Sequence, residues 1–198
     1  EIVKPGYHKV ELDKYKIGVE LTSTARVGMH RYTYPAGEKA NVLFDVGALL
    51  AHGKTEKAAI HRISSKEIGG YSVLAPTSRR KKPVTVYFVA RFNQNMTEFG
   101  GWEKEGEDKK LVRKNSIEGT DIGGYASFDK LKKQSLLMKV GISYVSEEQA
   151  RINLNHELPH WDFDRVKEDA FAEWNRELGK IRVEGGSEEE KVKFYTDL

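Results

Sequence analysis

Hydrophobic and polar positions alternate along the first two thirds of the chain. From Ile17 the apolar residues fall at every second position, which is the period of a strand with one buried face. This alternation predicts one long strand, or two strands joined by a bulge, with apolar positions at Ile17, Val19, Leu21, Ala25, Val27 and Met29. Residues 84–92 repeat the pattern and predict a second strand, with one face made of Val84, Val86, Phe88, Ala90 and Phe92.

Further strands are predicted between recognisable turns. A turn at residues 35–39 precedes the apolar run "NVLFDV", and a hairpin-like "IGGY" at 68–71 separates two more runs. Residues 136–146 close the series. Because no helical pattern lies between these strands, the predicted fold class is mostly β, a large antiparallel β-sandwich over residues 1–146.

The pattern becomes helical after Ser146. Ser146 stands three residues before Gln149, a capping-box spacing that predicts a helix ending before Pro159. Asp162 or Asp164 begins a second helix, and Ser187 opens a third. Residues 147–198 are therefore predicted to be a helical linker segment. Its apolar stripe needs a partner surface, either the sandwich or a further domain, and consists of Phe163, Val166, Ala170, Trp174, Leu178 and Ile181.

Composition narrows the classes of protein. The 198 residues are 38% hydrophobic and 32% charged, an ordinary globular balance with no run long enough to span a bilayer. A net charge of +3 is too small to indicate a nucleic-acid partner. The absence of cysteine excludes disulfides and thiolate sites. The chain has no signal peptide and no Met at position 1, which predicts a piece of a longer polypeptide.

The stretch "HELPH" at 156–160 has the H-E-x-x-H order of zinc peptidases. That motif works when both histidines share one helical face and the Glu activates a metal-bound water. Pro159 removes a backbone donor and pushes Leu158 out of helical geometry. The sequence therefore favours a helix end here over a zinc site.

The other acidic residues are poor candidates for catalysis. Asp162 and Asp164 flank a helix start, where carboxylates cap free amides. The segment "EGEDKK" at 105–110 only faintly resembles a calcium loop. A solvated, paired helix face is the favoured interpretation of Glu168, Asp169, Glu173 and Glu177.

Basic and aromatic residues also have structural interpretations that outweigh binding. The loop "SRRKKP" at 78–83 could touch phosphate but lacks interleaved aromatics. Phe99 and Trp102 could stack on a sugar, although aromatics covering the end of a sandwich are commoner. An interface role is favoured over sugar contact for Arg26, His30 and Arg31, and no partner is assigned to the lone histidines His61 and His156.

Several longer blocks carry a family resemblance. They are "PGYHKVEL", "GVELTSTARVGMHRYTYP", "VYFVARF", "VGISYVSEEQARINLNHEL", "WDFDRVKEDAFAEWNRELGKIRVEGG" and "KFYTDL". In this order they resemble successive blocks of the N-terminal domain of glycoside hydrolase family 92, the exo-acting α-mannosidases. The resemblance covers most of the chain and is weakest in "SRRKKP" and in residues 95–110.

The resemblance implies a division of labour in a larger parent protein. It implies an N-terminal β-sandwich, a helical linker and an (α/α)6 barrel, and the barrel and early N-terminal blocks are absent here. The barrel would supply a glutamate general acid, an aspartate general base and the calcium ligands, and the reaction would invert the anomeric configuration. No catalytic or metal-binding residue is therefore carried onto this chain, its sugar-contacting residues stay unknown, and the fragment alone is expected to be inactive. The parent is expected to be bacterial and periplasmic, cell-surface or secreted, acting on mannose-containing glycans.

A stand-alone carbohydrate-binding or interaction module is the alternative. Titration with mannose or mannobiose would discriminate between the two, because saturable binding in the low millimolar range or tighter favours the module. The reporters would be the fluorescence of Trp102, Trp161 and Trp174.

Overall fold

The computed structural model describes residues 1–48, 53–105, 108–129, 131 and 135–197. Thirteen strands precede three helices within these residues. The strands are β1 Ile2–Lys4, β2 Tyr7–Leu12, β3 Ile17–Ser23, β4 Val27–Thr33, β5 Ala40–Phe44, β6 Thr55–Arg62, β7 Glu67–Leu74, β8 Val84–Phe92, β9 Glu98–Glu105, β10 Asp108–Val112, β11 Ser116–Gly119, β12 Gly123–Phe128 and β13 Ser135–Ser143. The helices are α1 Glu147–Glu157, α2 Phe163–Leu178 and α3 Glu188–Asp197.

The strands form two antiparallel sheets of unequal width. The large sheet has nine strands in the order β1-β2-β3-β4-β13-β8-β7-β6-β11. The small sheet has four, in the order β10-β9-β12-β5. The small sheet packs on one face of the large one, and the helices follow the last strand, which confirms the predicted mostly β sandwich with a helical C-terminal segment.

The main core lies between the two sheets. Phe92 of β8 is fully buried and packs edge-on against Phe128 of β12, with ring centroids 4.9 Å apart. Both residues come from strands in which alternate side chains point to one face. The same core also contains Ile60, Ile68, Ala90, Phe99, Ile117, Ala126, Leu136 and Met138.

A second core lies on the opposite face of the large sheet, where α1 and α2 pack. Leu154 of α1 and Phe163 of α2 are 0% and 3% exposed. Gly141 of β13 allows the close approach of α1, because a Cβ there would stand 2.4 Å from the Ala150 carbonyl oxygen. The large sheet is therefore buried on two sides, and this second core comprises Val27, Met29, Val89, Ala150, Leu154, Leu158, Phe163 and Val166.

The alternating run that begins at Ile17 is neither one strand nor a bulged pair. It is a hairpin in which β3 and β4 pair from Ser23↔Gly28 to Gly18↔Thr33. The turn shifts the alternation, so the predicted common face is wrong. Val27 and Met29 belong to the core beneath the helices, whereas Ile17 packs against the core between the sheets.

The predicted turn at "IGGY" is also wrong. Gly69 and Gly70 lie inside β7, and the chain reverses before Glu67. A Cβ at Gly70 would stand 2.1 Å from the Ala59 carbonyl oxygen, and one at Gly69 would stand 2.6 Å from the Glu147 carboxylate. These glycines make room for a neighbouring strand and for α1, which is a tertiary requirement that resembles a turn signal.

The helix boundaries agree with the capping signals. The Ser146 hydroxyl accepts the Gln149 amide, and the Asp162 carboxylate accepts the Arg165 amide. Helix α1 stops at Glu157, before Pro159. The predicted apolar stripe is buried only in its first half: Phe163, Val166 and Ala170 are buried, whereas Trp174 is 50% exposed.

Candidate functional site: the polar junction between sheet and helices

Charged side chains surround the second core where the large sheet meets α1 and α2. We call this set the polar junction; its sheet residues are Glu20, Thr24, Arg26, Arg31, Glu67 and Arg91, and its helix residues are Arg151, Glu157 and Asp164. Alternation along β3, β4, β7 and β8 places Glu20, Arg31, Glu67 and Arg91 on the face that the helices cover. Thr24 and Arg26 lie in the turn between β3 and β4. The junction contains two of the three residues predicted at an interface, Arg26 and Arg31.

Arg31 joins β3, β4 and α2. Its guanidinium donates to both carboxylate oxygens of Glu20 at 2.7 and 2.9 Å and to Asp164 at 2.9 and 3.3 Å. The same group lies over the Phe163 ring, 4.3 Å from its centroid. Tyr7 donates its hydroxyl to Glu20 at 2.7 Å. A planar guanidinium with five donors suits this bidentate and stacked arrangement.

These contacts lower the pKa of each carboxyl around Arg31. The hydrogen bond from Arg31 lowers the pKa of Glu20, against the opposing effect of burial. Hydrogen bonds from Arg31 and Lys167 lower the pKa of Asp164. A general acid needs a carboxyl that keeps its proton near neutral pH. Neither carboxyl meets that requirement.

Glu157 of "HELPH" is a structural anchor. Burial alone would raise its pKa, but hydrogen bonds from Thr24 and Arg26 outweigh burial and lower it. Its carboxylate accepts the Thr24 hydroxyl at 2.5 Å, the Arg26 amide at 3.0 Å and the Arg26 Nε at 2.5 Å. His156 is exposed and His160 Nδ1 accepts the Asp162 amide. Helix α1 ends at this motif, as the helix-end interpretation predicts, and its Glu157 also closes the β3–β4 turn.

Glu157→Ala is expected to lower the free energy of unfolding by about 1–3 kcal/mol, because the Thr24 and Arg26 donors lose their acceptor. Urea unfolding measures the change. His156→Ala, a neighbouring exposed side chain, is expected to change stability by less than about 0.5 kcal/mol. A zinc-dependent rise in melting temperature that both substitutions abolish would instead restore the metal interpretation.

Two further contacts hold α1 against the centre of the sheet. Glu67 of β7 accepts Arg91 at 2.9 Å and Arg151 of α1 at 2.7 Å. His61 lies 3.3 Å from Glu147 in the first turn of α1. His61 therefore has a partner that its sequence context did not indicate. Glu67 was not anticipated either, because its partner Arg151 is 84 residues away along the chain.

Lys139 is a buried amine between the sheet and the segment that joins α1 to α2. It is 2% exposed, donates to the Leu158 carbonyl at 2.8 Å, and lies 3.9 Å from the centroid of the Trp161 ring. Burial, assisted by the charge of Arg91, lowers its pKa to about 8. A single lysine inside the apolar run "LLMKVGI" was a usable signal that sequence reasoning passed over.

The exposed acids of α2 form a paired, solvated face. Asp169 lies 3.8 Å from Arg165, and Glu173 lies 3.7 Å from Arg176. Glu177 pairs with Lys180. These are the surface pairs that the sequence pattern predicted, and each contributes little stability.

The described residues offer no ready site for a divalent cation. Among them, no group of three or more His, Cys, Asp or Glu side chains could hold a metal ion. The calcium-like segment 105–110 lies partly outside the described residues. Its Lys109 pairs with Asp121 at 3.0 Å.

The two aromatics considered for sugar stacking, Phe99 and Trp102, are not open platforms. Phe99 belongs to the core between the sheets and is 6% exposed. Trp102 is 9% exposed on the outer face of the small sheet, with the Lys109 amine 5.5 Å from its ring centroid. Among the described residues, its Nε1 has no hydrogen-bond partner.

The remaining basic candidates also have internal partners or lie elsewhere. In the "SRRKKP" loop, Arg80 donates to the carbonyls of Leu74, Ala75 and Lys82. His30 lies on the opposite sheet face from the junction, 2.8 Å from the Tyr32 hydroxyl. Burial lowers the pKa of His30 to about 4.

Comparison with protein families gives two matches that divide the chain after β13. Residues 1–143 match the glycosyl hydrolase family 92 N-terminal domain, and residues 149–198 match the glycosyl hydrolase family 92 catalytic domain. The second match begins in the first turn of α1. The polar junction and the second core therefore join sandwich residues to residues of the catalytic-domain match.

Solved structures and a curated protein are similar over the same region. A family GH92 alpha-mannosidase from Bacteroides thetaiotaomicron is 30% identical, with a TM-score of 0.79 over 92% of this chain and 24% of that one. An inverting mannosidase of the same organism shares the fold at 21% identity, with a TM-score of 0.75 over 94% of this chain and 24% of that one. An uncharacterized secreted glycosidase from Arthroderma benhamiae is 40% identical over 50 residues, which are 24% of this chain and 6% of that protein. The chain thus spans about a quarter of the length of the solved relatives. Among the described residues, no helix is both long enough and apolar enough to cross a membrane.

Proposed function

Because the chain belongs to glycosyl hydrolase family 92, we propose that it is the sandwich domain and first catalytic-domain helices of an exo-α-mannosidase. Its role is to hold the start of the catalytic domain in a fixed orientation. The parent enzyme releases terminal mannose from glycans with inversion, assisted by calcium. The acid, the base and the calcium ligands lie on the catalytic domain beyond the residues of this chain.

The observation that carries this proposal is the packing of residues 149–178 on the large sheet. These residues match the catalytic domain, and three of them, Leu154, Phe163 and Val166, are 0–3% exposed because they pack against the large sheet. Ion pairs of Arg31 and Glu157 lock both helices to β3 and β4. A domain anchored in this way cannot rotate freely about a linker, so geometry at a pocket between domains is preserved.

The chemistry of the polar junction favours a structural role over a catalytic one. Inverting glycosidases need a carboxyl that stays protonated and a second one across a gap of roughly 6.5–9.5 Å that admits water. Glu20, Glu157 and Asp164 all have lowered pKa values and direct partners. Their proton-free state suits ion pairing and does not suit protonation of a leaving group.

Activity of the parent polypeptide tests the proposal. A protein that contains this chain and the complete catalytic domain is expected to release mannose from an α-mannoside, and NMR is expected to show the β-anomer first. Chelation with EDTA is expected to stop turnover and added calcium to restore it. Retention of configuration, or full activity in EDTA with no bound metal, would contradict the mechanism proposed for the parent. Hydrolysis of a different glycoside alone would contradict the substrate class.

A further inference from the structure

The two sheets of the sandwich differ so much in width that the described residues leave part of the inner face of the large sheet uncovered. Within the part of the chain that the structure describes, four strands face nine, and the small sheet ends at β5, which pairs with β12 alone. The core between the sheets takes its large-sheet side chains from β6, β7, β8, β11 and β13. From the β1–β4 end of the large sheet, only Ile17 of β3 and Tyr32 of β4 pack against this core among the described strand residues.

The uncovered region is apolar and continues that core. Directly opposite residues on antiparallel strands point to the same side. Register pairs Val10 with Val19, Val19 with Tyr32, and Leu21 with His30. Tyr32 packs against the core, so these side chains share its face. We call the set Val10, Leu12, Val19 and Leu21 the open face; Leu12 is 42% exposed and the other three are partly exposed.

The free edge of β5 lies beside this open face. Tyr34, which directly follows β4, donates its hydroxyl to the Asn41 carbonyl of β5 at 2.8 Å. Towards the centre of the large sheet, Phe44 of β5 stacks on Phe88 of β8. An edge strand presents unpaired backbone groups that accept another strand. Strands added to β5 would therefore extend the small sheet over β4, β3 and β2.

We propose that the open face is covered in the whole protein by extended segments of the same polypeptide, which pair with the edge of β5 and widen the small sheet. The solved relatives are about four times longer than this chain, so such polypeptide exists in the family. The occupant has alternating apolar residues that meet Val10, Val19 and Leu21. Strand addition gives affinity through the backbone and selectivity through alternate side chains.

The test compares one substitution in two lengths of protein. Val19→Glu places a charge on the open face, and Leu43→Glu, at a 68% exposed position on the opposite face of the small sheet, is the matched control. In the 198-residue chain both variants are expected to change the melting temperature by less than about 3 °C. In the longer parent, Val19→Glu is expected to lower it by roughly 10 °C or more, whereas Leu43→Glu stays small.

Hydrogen exchange and oligomeric state complete the test. The amides of β5 are expected to exchange much more slowly in the parent than in the short chain. Equal, small effects of Val19→Glu in both lengths would overturn the proposal. So would a dimer of the short chain that Val19→Glu dissociates while the parent tolerates the substitution, because the face would then belong to a second copy. None of these readouts needs enzymatic activity, so this test can fail independently of the proposed function.

Discussion

Replacement of Phe163 by Ala is expected to lower the free energy of unfolding by about 3–5 kcal/mol, the usual cost of truncating a large core aromatic. Phe163 is 3% exposed at the start of α2, and its ring lies beneath the Arg31 guanidinium. Truncation opens a cavity between α2 and the sheet and removes the stacking partner of Arg31. In a chain of this size the melting temperature is expected to fall by roughly 10 °C.

Trp174→Ala is the matched control for this prediction. Trp174 is an aromatic residue on the same helix, three turns later, and is 50% exposed. Its loss is expected to cost less than about 1 kcal/mol. A larger loss from Trp174→Ala than from Phe163→Ala, measured by urea unfolding, would mean that the C-terminal half of α2 provides the docking contacts. The structure would then have the wrong half of the stripe buried.

Stability is expected to rise with pH between about pH 8 and 10.5 because of Lys139. Burial lowers the pKa of this amine from 10.5 to about 8 in the folded chain. Over that window the unfolded state binds the proton and the folded state does not, so unfolding becomes less favourable as pH rises. At neutral pH the charged, buried amine lowers the free energy of unfolding by an amount on the order of 3 kcal/mol. Above the unfolded pKa this cost is absent.

Lys139→Met isolates this effect, because other titrating groups contribute equally to both proteins. The variant keeps the length of the side chain and cannot be charged. Urea unfolding at pH 7 and pH 10 is expected to show wild-type stability rising relative to the variant by about 2–3 kcal/mol. Parallel changes in the two proteins would show that the Lys139 amine ionises as freely in the folded chain as in water.

Local signals in the sequence predicted the elements better than their arrangement. Ser146 and Asp162 cap their helices because a capping side chain bonds an amide three residues away, a relation visible in the sequence. Strand β8 matches its predicted bounds because alternation is also local. The fold class and the predicted change from strands to helices after Ser146 both follow from such local signals, and the family resemblance added the expected role in a longer parent protein.

The failures arose where distant residues decide the structure. The β3–β4 turn contains no Gly or Pro and is closed by Glu157, which is 133 residues from Thr24 along the chain. Gly69 and Gly70 serve packing against a strand and a helix that no local pattern reveals. Glu20 and Glu67 of the polar junction were missed for the same reason, because a strand carboxylate is identified as an anchor only when its arginine is known.

Mannose release by the isolated 198-residue chain is the measurement that tests the central claim most directly. The chain would be incubated with an α-linked mannobiose, with and without calcium, and free mannose would be quantified against a parent protein that includes the whole catalytic domain. We expect release by the parent alone. Turnover by the short chain that follows the purified protein, and that Glu157→Gln or Asp164→Asn abolishes, would show that the junction carboxylates are catalytic and would contradict this account.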